Sequence, residues 1–365
     1  MTLLDIIKDR IAENGPIPVS EYMSLCLAHP EHGYYMKRDP LGKDGDFITS
    51  PEISQIFGEL LGLWLASQWE KQGKPNATLL EMGPGRGTLM NDALRATKKI
   101  KGFHDAVSVR LLEISPALKQ KQWQLLAGKH PDLGWLESLD SLPPQPLFVV
   151  ANEFFDALPI RQFQYLPSPL GGEGQGEGWY ERLVTSENGQ LKFITDTKSA
   201  SHLSPPTQPS PSMGEGFFRE TCEPATEIIS KLASHIKTYG GAALIIDYGY
   251  NEGGSDTLQA MRRHQYFEIF SKPGSADITA HVDFAALKEA AEKAGAKVFG
   301  ATPQGRFLMK IGAGQRTQKL CAGASAEQSK ELISGLDRLA SPEKMGELFK
   351  VLAILPPDAM HAEGF

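Results

Sequence analysis

The stretch LLEMGPGRGTLMND, residues 79–92, decides the fold class of this 365-residue chain. Glycines stand at alternate positions, Gly83, Gly85 and Gly87, between an apolar run typical of a buried strand and a run with helical periodicity. Glycine has no Cβ and adopts positive φ freely, so such a turn lets a ligand approach backbone N–H groups at a helix N-terminus. The stretch therefore predicts a ligand-binding turn between a strand and a helix.

The sequence of the turn distinguishes between three kinds of ligand. A phosphate-binding P-loop needs Ser or Thr after a Gly-Lys pair, and no Gly-Lys pair in the chain is followed by either. The dinucleotide pattern GxGxxG would need glycine where Thr88 stands. The observed GxGxG, with Glu81 ahead of it, suits S-adenosylmethionine better, because an acid can face its sulfonium cation and a helix N-terminus its carboxylate. A purely structural glycine turn remains the alternative.

From residue 76 onward, strands alternate with helices. Four apolar strands are predicted in the runs TLLEM, VSVRLLEI, PLFVVAN and GAALIIDYG, each separated by a helical pattern. This order predicts an α/β protein with a parallel, doubly wound sheet. Residues 296–312 are interpreted as two strands joined by a turn, which would close the sheet with an antiparallel hairpin, and the segment from Ser341 to Ile354 as a helix.

Composition divides the rest of the chain. Residues 1–75 are predicted to form an N-terminal helical extension with a lid loop, residues 76–312 the ligand-binding domain, and residues 313–365 a helical tail. Low-complexity insertions are predicted near 167–178 and 201–216, where PSPLGGEG and PSPSMGEG form an internal repeat. Between them, alternating residues around Asn188-Gly189 predict a β-hairpin.

Polar residues at the ends of the next predicted strands extend the site. Glu113 ends the second strand, where Rossmann-like proteins place a carboxylate that accepts from ribose hydroxyls. Asn152 and Glu153 end the third strand, and Asp156 follows closely. An amide carbonyl can orient an amino nitrogen, and paired carboxylates can hold a guanidinium or accept a proton. We predict Asn152, Glu153 and Asp156 as catalytic, and Asn152 also as cofactor-binding; a helix cap with exposed acids is the alternative.

Other residues are weaker candidates for a lid or for substrate binding. Asp46, Thr49 and Ser50 lie in a polar loop before the helix that starts near Pro51, and Ser50 is expected to cap that helix. Asp247 and Tyr248 end the fourth strand, at the same predicted sheet edge as Asn152. His281 can orient substrate or act as a base, and a structural histidine is the alternative.

Composition excludes several classes of protein. A net charge of −7 disfavours nucleic-acid binding. No apolar run reaches the roughly 18 residues of a membrane span, and the N-terminal MTLLDIIKDRIAENG is interpreted as an amphipathic helix and not as a signal peptide. These features predict a cytoplasmic protein without membrane insertion. Three widely spaced cysteines and no HExxH motif predict neither disulfides nor a metal site.

Six motifs together resemble the MidA-like family of class I S-adenosylmethionine-dependent methyltransferases, which includes a mitochondrial enzyme of respiratory complex I assembly. They are GDFITSPEISQIFGELLG, EMGPGRGTLMND, ANEFFDALPIRQF, DYGYNEGGSDTLQA, PGSADITAHVDF and MGELFKVLAI, which occur in this order along nearly the whole chain apart from the repeats.

The resemblance implies a class I methyltransferase fold and methylation of a protein arginine, with a respiratory complex I subunit as a candidate partner. It also implies that Gly83, Gly85, Gly87 and Glu113 bind the cofactor. Two alternatives stay open: a binding or assembly factor that keeps the fold without turnover, and a methyltransferase of small-molecule nitrogen or oxygen.

Overall fold

The structure is a computed structural model that describes residues 1–37, 49–166, 178–200, 203 and 217–365. The helices are α1 Leu3–Asn14, α2 Val19–Ala28, α3 Tyr34–Lys37, α4 Ser50–Ile53, α5 Gln55–Lys71, α6 Thr88–Thr97, α7 Phe103–Ala106, α8 Pro116–Leu126, α9 Glu223–Tyr239, α10 Phe284–Lys293, α11 Gln304–Lys310, α12 Ala313–Cys321 and α13 Ala326–Ala340.

The strands are β1 Ile17–Pro18, β2 Ala77–Met82, β3 Val107–Leu112, β4 Leu133–Leu136, β5 Leu147–Asn152, β6 Arg161–Leu166, β7 Gly178–Glu187, β8 Gln190–Ser199, β9 Phe217–Thr221, β10 Gly241–Tyr250, β11 Gln259–Arg262, β12 Gln265–Tyr266, β13 Asp277–Thr279, β14 Val282–Asp283, β15 Lys297–Pro303 and β16 Phe349–Leu355. Together these elements form two compact units.

The large unit comprises Arg38–Asp156, Ala225–Asn251 and Val282–Phe365. Its sheet has the order β15-β16-β10-β5-β2-β3-β4, and β14 pairs with β10. Strands β2, β3, β4, β5 and β10 are mutually parallel, while β16 runs antiparallel to both β10 and β15. The predicted α/β class with a mainly parallel sheet is therefore confirmed.

The chain reverses its direction of travel across this sheet between β2 and β5. After β2 it builds β3 and β4 on one side, and it then returns to place β5 on the other side of β2. In open parallel sheets, ligands bind in the crevice at the carboxyl ends of the strands where the order reverses. The topology therefore predicts that a ligand binds between the loops that follow β2 and β5.

The core of the large unit explains why the parallel strands are nearly continuous apolar runs. All residues of β2 and β5 are buried, since helices cover both faces of the sheet. On one face, α5 packs against α6 at very close range. A Cβ added to Gly62 would lie 2.6 Å from the Cα of Ala93, so only glycine allows this approach.

Two predictions for the C-terminal part of the large unit are wrong. The segment interpreted as two strands is one strand, β15, followed by α11, which buries Phe307 and Leu308. The segment interpreted as a helix contains a helical turn, Pro342–Gly346, and then β16. Strand β16 is buried between β10 and β15, and pairing with both strands outweighs the mixed local preference of FKVLAIL. The antiparallel partner of β15 thus comes from the predicted helical tail.

The helix expected to start near Pro51 is broken. Ser54 has an extended backbone with φ −156°, and its side chain accepts from the N–H of Ile56 to cap α5. The prediction that Ser50 caps this helix is wrong. Ser50 is the first residue of α4, and Thr49 occupies the N-cap position. The Ser50 side chain has a different partner, described below.

The small unit comprises Met1–Lys37, Ala157–Pro224 and Glu252–His281. Its main sheet has the order β1-β7-β6-β9, with β8 paired to β7, and a second sheet has the order β12-β11-β13. The predicted hairpin is confirmed: β7 and β8 are antiparallel around Asn188 and Gly189, both of which have positive φ. Strands β6 and β9 and the second sheet were not predicted from the sequence.

The predicted divisions at residues 75 and 312 do not coincide with the two units. Helices α1 and α2 pack with the inserted strands, whereas α4 and α5 belong to the large unit, as do α12 and α13. Both copies of the repeat, residues 167–174 and 209–216, lie outside the described residues. Within the described part of the chain, no helix is long and apolar enough to cross a membrane.

Candidate active site

The glycine turn connects β2 to α6 at the reversal point of the sheet. Gly83, Gly85 and Gly87 have φ of 61°, 53° and 85°. Residues with a Cβ rarely adopt these values, so the backbone conformation of the turn requires glycine at all three positions. Gly87 occupies the N-cap position of α6. The N–H groups at the start of this helix therefore point toward the crevice beyond the strand ends.

Glu81 lies near the end of β2 with a carboxyl group that is incompletely satisfied. Glu81 is 3% exposed, and its Oε2 atom has no hydrogen-bond partner among the described residues. Burial raises the pKa of Glu81 well above its ordinary value, and a hydrogen bond from the backbone of Met90 only partly opposes that shift. A buried acceptor without a donor is costly, so Glu81 is suited to a ligand that brings a donor or a cation.

Glu113 lies beyond the end of β3 and is held by its own loop and by α8. Its Oε1 accepts from the backbone N–H of Ser115 at 2.8 Å, and its Oε2 accepts from Nε2 of Gln122 at 3.1 Å. Burial raises the pKa of Glu113, and these hydrogen bonds oppose that shift. The carboxylate is therefore fixed in one orientation at the strand end.

Gln122 is a residue that the sequence analysis missed. Its Nε2 also donates to the carbonyl of Gly85 at 2.7 Å, and its Oε1 accepts from Nε1 of Trp135 at 2.7 Å. One buried amide thus joins the glycine turn to Glu113 and to β4. The signal was present in the sequence, because Gln122 occupies a helical position between Leu118 and Leu126 on the buried face of α8.

Asn152 and Glu153 form the turn at the end of β5. Glu153 is half-buried and has a φ of 51°, which is rare for a residue with a Cβ and is characteristic of functional turns. Its Oε1 accepts from the Ser50 backbone N–H at 2.9 Å, from Ser50 Oγ at 3.0 Å and from Asn152 Nδ2 at 3.0 Å. Burial raises the pKa of Glu153, and the hydrogen bonds from Ser50 and Asn152 lower it.

Asn152 has a second unsatisfied acceptor at the same sheet edge. Its Oδ1 is buried and has no hydrogen-bond partner among the described residues. Met82, the last residue of β2, pairs with Ala151 of β5. Asn152, the next residue, therefore lies beside the start of the glycine turn. The structure therefore leaves one unsatisfied acceptor on each of the two strands at the reversal point, Glu81 Oε2 and Asn152 Oδ1.

Asp247, in β10, organises the turn after β5. Its Oδ2 accepts from the backbone N–H groups of Phe154, Phe155 and Asp156 at 3.2, 2.9 and 3.2 Å. Asp247 is completely buried, and burial together with the nearby carboxyl groups of Asp156 and Glu153 raises its pKa. Asp247, predicted from the sequence only as a weak candidate for substrate binding, thus shapes the turn after β5.

Phe154 forms a wall between the two strand-end loops. A Cβ added to Gly83 would lie 2.8 Å from Cδ2 of Phe154, so the ring covers the first glycine of the turn. The rings of Phe154 and Phe155 meet edge to face at 5.2 Å between centroids. An aromatic wall of this kind excludes water and restricts the approach of an acceptor.

The remaining predicted residues are distributed differently. Thr49 precedes α4 and Ser50 contacts Glu153, which brings both to this sheet edge, whereas Asp46 lies outside the described residues. The ring of Tyr248 packs edge to face on Phe349 at 5.5 Å. His281 belongs to the small unit, where its backbone N–H donates to Oγ1 of Thr257. Burial lowers the pKa of His281.

The site fits S-adenosylmethionine on structural grounds. Unsatisfied acceptors on Glu81 and Asn152 match a ligand that carries an ammonium and a sulfonium group, and Glu113 is oriented to accept from ribose hydroxyls. The α6 N-terminus is suited to the ligand's carboxylate. Among the described residues, no group of three or more His, Cys, Asp and Glu side chains could hold a metal ion.

Comparison with known proteins agrees with this assignment. A family model described as "Putative S-adenosyl-L-methionine-dependent methyltransferase" matches residues 60–302. The chain is 39% identical to the Danio rerio "Protein arginine methyltransferase NDUFAF7, mitochondrial", across 97% of this chain and 87% of the relative. The Homo sapiens protein of the same name is 37% identical across 95% of this chain and 82% of its own length.

A solved structure is also similar. A likely methyltransferase of the COG1565 superfamily from Burkholderia thailandensis, bound to S-adenosyl-homocysteine, superposes with a TM-score of 0.80 at 28% identity, across all of this chain and 94% of that one. The predicted family, fold and cofactor are confirmed. The predicted cytoplasmic location is wrong, because the curated relatives are named as mitochondrial proteins.

Proposed function

This chain belongs to the family of S-adenosyl-L-methionine-dependent methyltransferases, and we propose that its methyl acceptor is an arginine nitrogen of a protein. The observation that carries the proposal is the pair of carboxylates in the turn after β5. Glu153 and Asp156 lie in the same turn as the unsatisfied carbonyl of Asn152, and Asp247 of β10 shapes that turn. Carboxylates hold a guanidinium through charge-assisted bonds, and the names of the curated relatives support the same acceptor.

The chemistry of the proposed site is a displacement at carbon. S-adenosylmethionine, when bound, supplies a methyl group activated by its sulfonium. The acceptor nitrogen forms a bond to the methyl carbon as the carbon–sulfur bond breaks, and the nitrogen then loses a proton. Most of the acceleration in such a reaction comes from holding the two reactants in line and excluding water.

Each site residue has a proposed role in this reaction. Asn152 Oδ1 accepts from a donor of the bound reactants, because it lacks any partner of its own among the described residues. Phe154 closes the wall beside the glycine turn. Glu153 holds the acceptor and takes its proton, and burial, which raises the pKa of Glu153, makes its carboxylate a better proton acceptor. Asp156 adds a second negative charge to face the guanidinium.

The proposed protein partner is a subunit of respiratory complex I. This finer assignment follows the resemblance to the MidA-like family, and the mitochondrial names of the relatives are consistent with it. The symmetry and extent of methylation are separate questions that product analysis answers directly.

Transfer of a labelled methyl group tests the proposal. The purified protein is incubated with labelled S-adenosylmethionine and a respiratory-membrane extract, and labelled peptides are sequenced by mass spectrometry. We expect methylated arginine with the unmodified chain and at least tenfold less with Glu153→Gln, which keeps the shape of the side chain but removes its charge. Label found only on small molecules would show a different acceptor, and no transfer at all would favour a binding factor.

A further inference from the structure

The short helix α4 makes contact with two different loops of the site. Ser50, its first residue, is completely buried and donates from both its backbone N–H and its hydroxyl to Oε1 of Glu153. Glu52, two residues further, accepts from the hydroxyl of Thr88. The second oxygen of Glu52 lies 3.9 Å from Nη1 of Arg86. Two residues of a single helical turn thus reach both sides of the crevice.

These partners belong to the two loops that meet at the reversal point of the sheet. Arg86 and Thr88 belong to the glycine turn and to the start of α6, which follow β2. Glu153 follows β5, the strand paired with β2. Strands β2 and β5 are joined by backbone hydrogen bonds, and Phe154 covers Gly83 beyond the strand ends. Helix α4 is a further connection between the two loops, made by polar side chains.

Helix α4 is also held from its outer side. A Cβ added to Gly335 of α13 would lie 3.2 Å from the carbonyl oxygen of Ile53 and 3.3 Å from Cβ of Ser54. Such close packing leaves little room for α4 to change shape locally. Close packing of this kind favours displacement of α4 as one body over a change of shape within it.

We propose that Ser50 and Glu52 are positioning residues through which the cofactor-binding turn and the carboxylate of Glu153 are energetically coupled. Binding of the cofactor orders the glycine turn, Glu52 follows Arg86 and Thr88, and Ser50 then holds Glu153 in place for the acceptor. The part that concerns the acceptor rests on the proposed function. The coupling itself needs only cofactor binding, and coupling is reciprocal, so loosening Glu153 must weaken the cofactor.

A double-mutant cycle on cofactor binding tests the coupling. Calorimetry gives the Kd of S-adenosylhomocysteine for the unmodified chain, Ser50→Ala, Thr88→Val and the double variant. We expect Ser50→Ala to weaken binding about fivefold, the low end of typical coupling between sites. We expect the double variant to bind about as weakly as Thr88→Val alone, because the link is already broken.

Matched variants separate positioning from folding. Ser50→Thr and Thr88→Ser keep the hydroxyl groups and should bind within twofold of the unmodified chain. Glu52→Gln keeps the side-chain shape and replaces Thr88→Val in the cycle if that variant unfolds, as judged by thermal unfolding. An unchanged Kd for Ser50→Ala, or losses that simply multiply in the double variant, would overturn the proposal. No acceptor is present, so these outcomes are independent of whether arginine is the substrate.

Discussion

The carboxylate of Asp247 lies 2.9 Å from the backbone nitrogen of Phe155, and the same oxygen also accepts from Phe154 and Asp156. Three consecutive N–H groups converge on one buried oxygen, so the turn after β5 takes its shape from a side chain of β10. The left-handed backbone of Glu153, with φ 51°, is maintained by this arrangement.

Replacing Asp247 should therefore disturb the turn more than it disturbs the cofactor. In Asp247→Asn, the amide group has only one oxygen acceptor where the carboxylate has two. Loss of acceptor capacity for buried N–H groups costs about 1–3 kcal/mol. We expect a drop in the free energy of unfolding of that size and at least a tenfold lower kcat. Chemical denaturation and steady-state kinetics measure the two effects, and an unchanged kcat would contradict the assigned role.

Gly83→Ala should weaken cofactor binding strongly. The added Cβ would lie 2.8 Å from Cδ2 of Phe154, at a residue whose φ is 61°. Displacing the aromatic wall and straining the turn together should raise the Kd of S-adenosylhomocysteine at least tenfold. The matched control is Gly73→Ala, which has a φ of 85° but no heavy atom within 4 Å of the added Cβ. The control carries the backbone strain without the clash and should bind normally in calorimetry.

Gln122→Ala should weaken the cofactor by loosening two groups at once. The variant removes the hydrogen bonds to the carbonyl of Gly85 and to Glu113, and it leaves Nε1 of Trp135 without its acceptor. We expect a Kd about tenfold higher and a larger relative loss for adenosine than for methionine as competitor, since Glu113 is assigned to the ribose. Gln124→Ala, on the exposed face of the same helix, serves as the control. Equal losses in the two variants would refute the role of Gln122.

The pH dependence of turnover should respond to Ser50. Burial raises the pKa of Glu153, and the hydrogen bonds from Ser50 lower it. Removing the hydroxyl in Ser50→Ala removes one stabilising interaction with the charged form, so the pKa of Glu153 must rise further. If the carboxylate accepts the proton, the acid limb of kcat against pH moves to higher pH, whereas Ser50→Thr leaves it in place. A profile that is unchanged, or moves to lower pH, would show that Glu153 is not that group.

Local sequence patterns were sufficient to predict the strand, turn and helix at the centre of the candidate site. The apolar run, the alternate glycines and the amphipathic helix after them predicted β2, the turn and α6, because each of these features is determined within about ten residues. The polar ends of β3 and β5 could be identified for the same reason. Glu113 follows β3, Asn152 ends β5 and Glu153 follows it, and the apolar runs of both strands are plain in the sequence.

Contacts between distant residues could not be predicted in this way. Ser50 followed by Pro51 is a sequence pattern typical of a helix cap, but the contact with Glu153, 103 residues away, determines the role of Ser50. The segment Phe349–Leu355 has a mixed propensity, and its strand conformation follows from the free edges of β10 and β15 that it fills. Tertiary pairing overrides weak local preference in such a case. The partners of Gln122 likewise become visible only when α8 is placed against the glycine turn.

The position of β16 has a consequence for how the chain folds during synthesis. Strand β10 is complete at residue 250, and β15 at residue 303, but the strand that joins them spans residues 349–355. Until the ribosome has released that segment, both strands expose an unpaired edge, and such edges are templates for aggregation. The turn shaped by Asp247 depends on β10, so a chain truncated before residue 349 would keep the whole cofactor motif and lack the strand that covers the edge of β10, and with it a stable site.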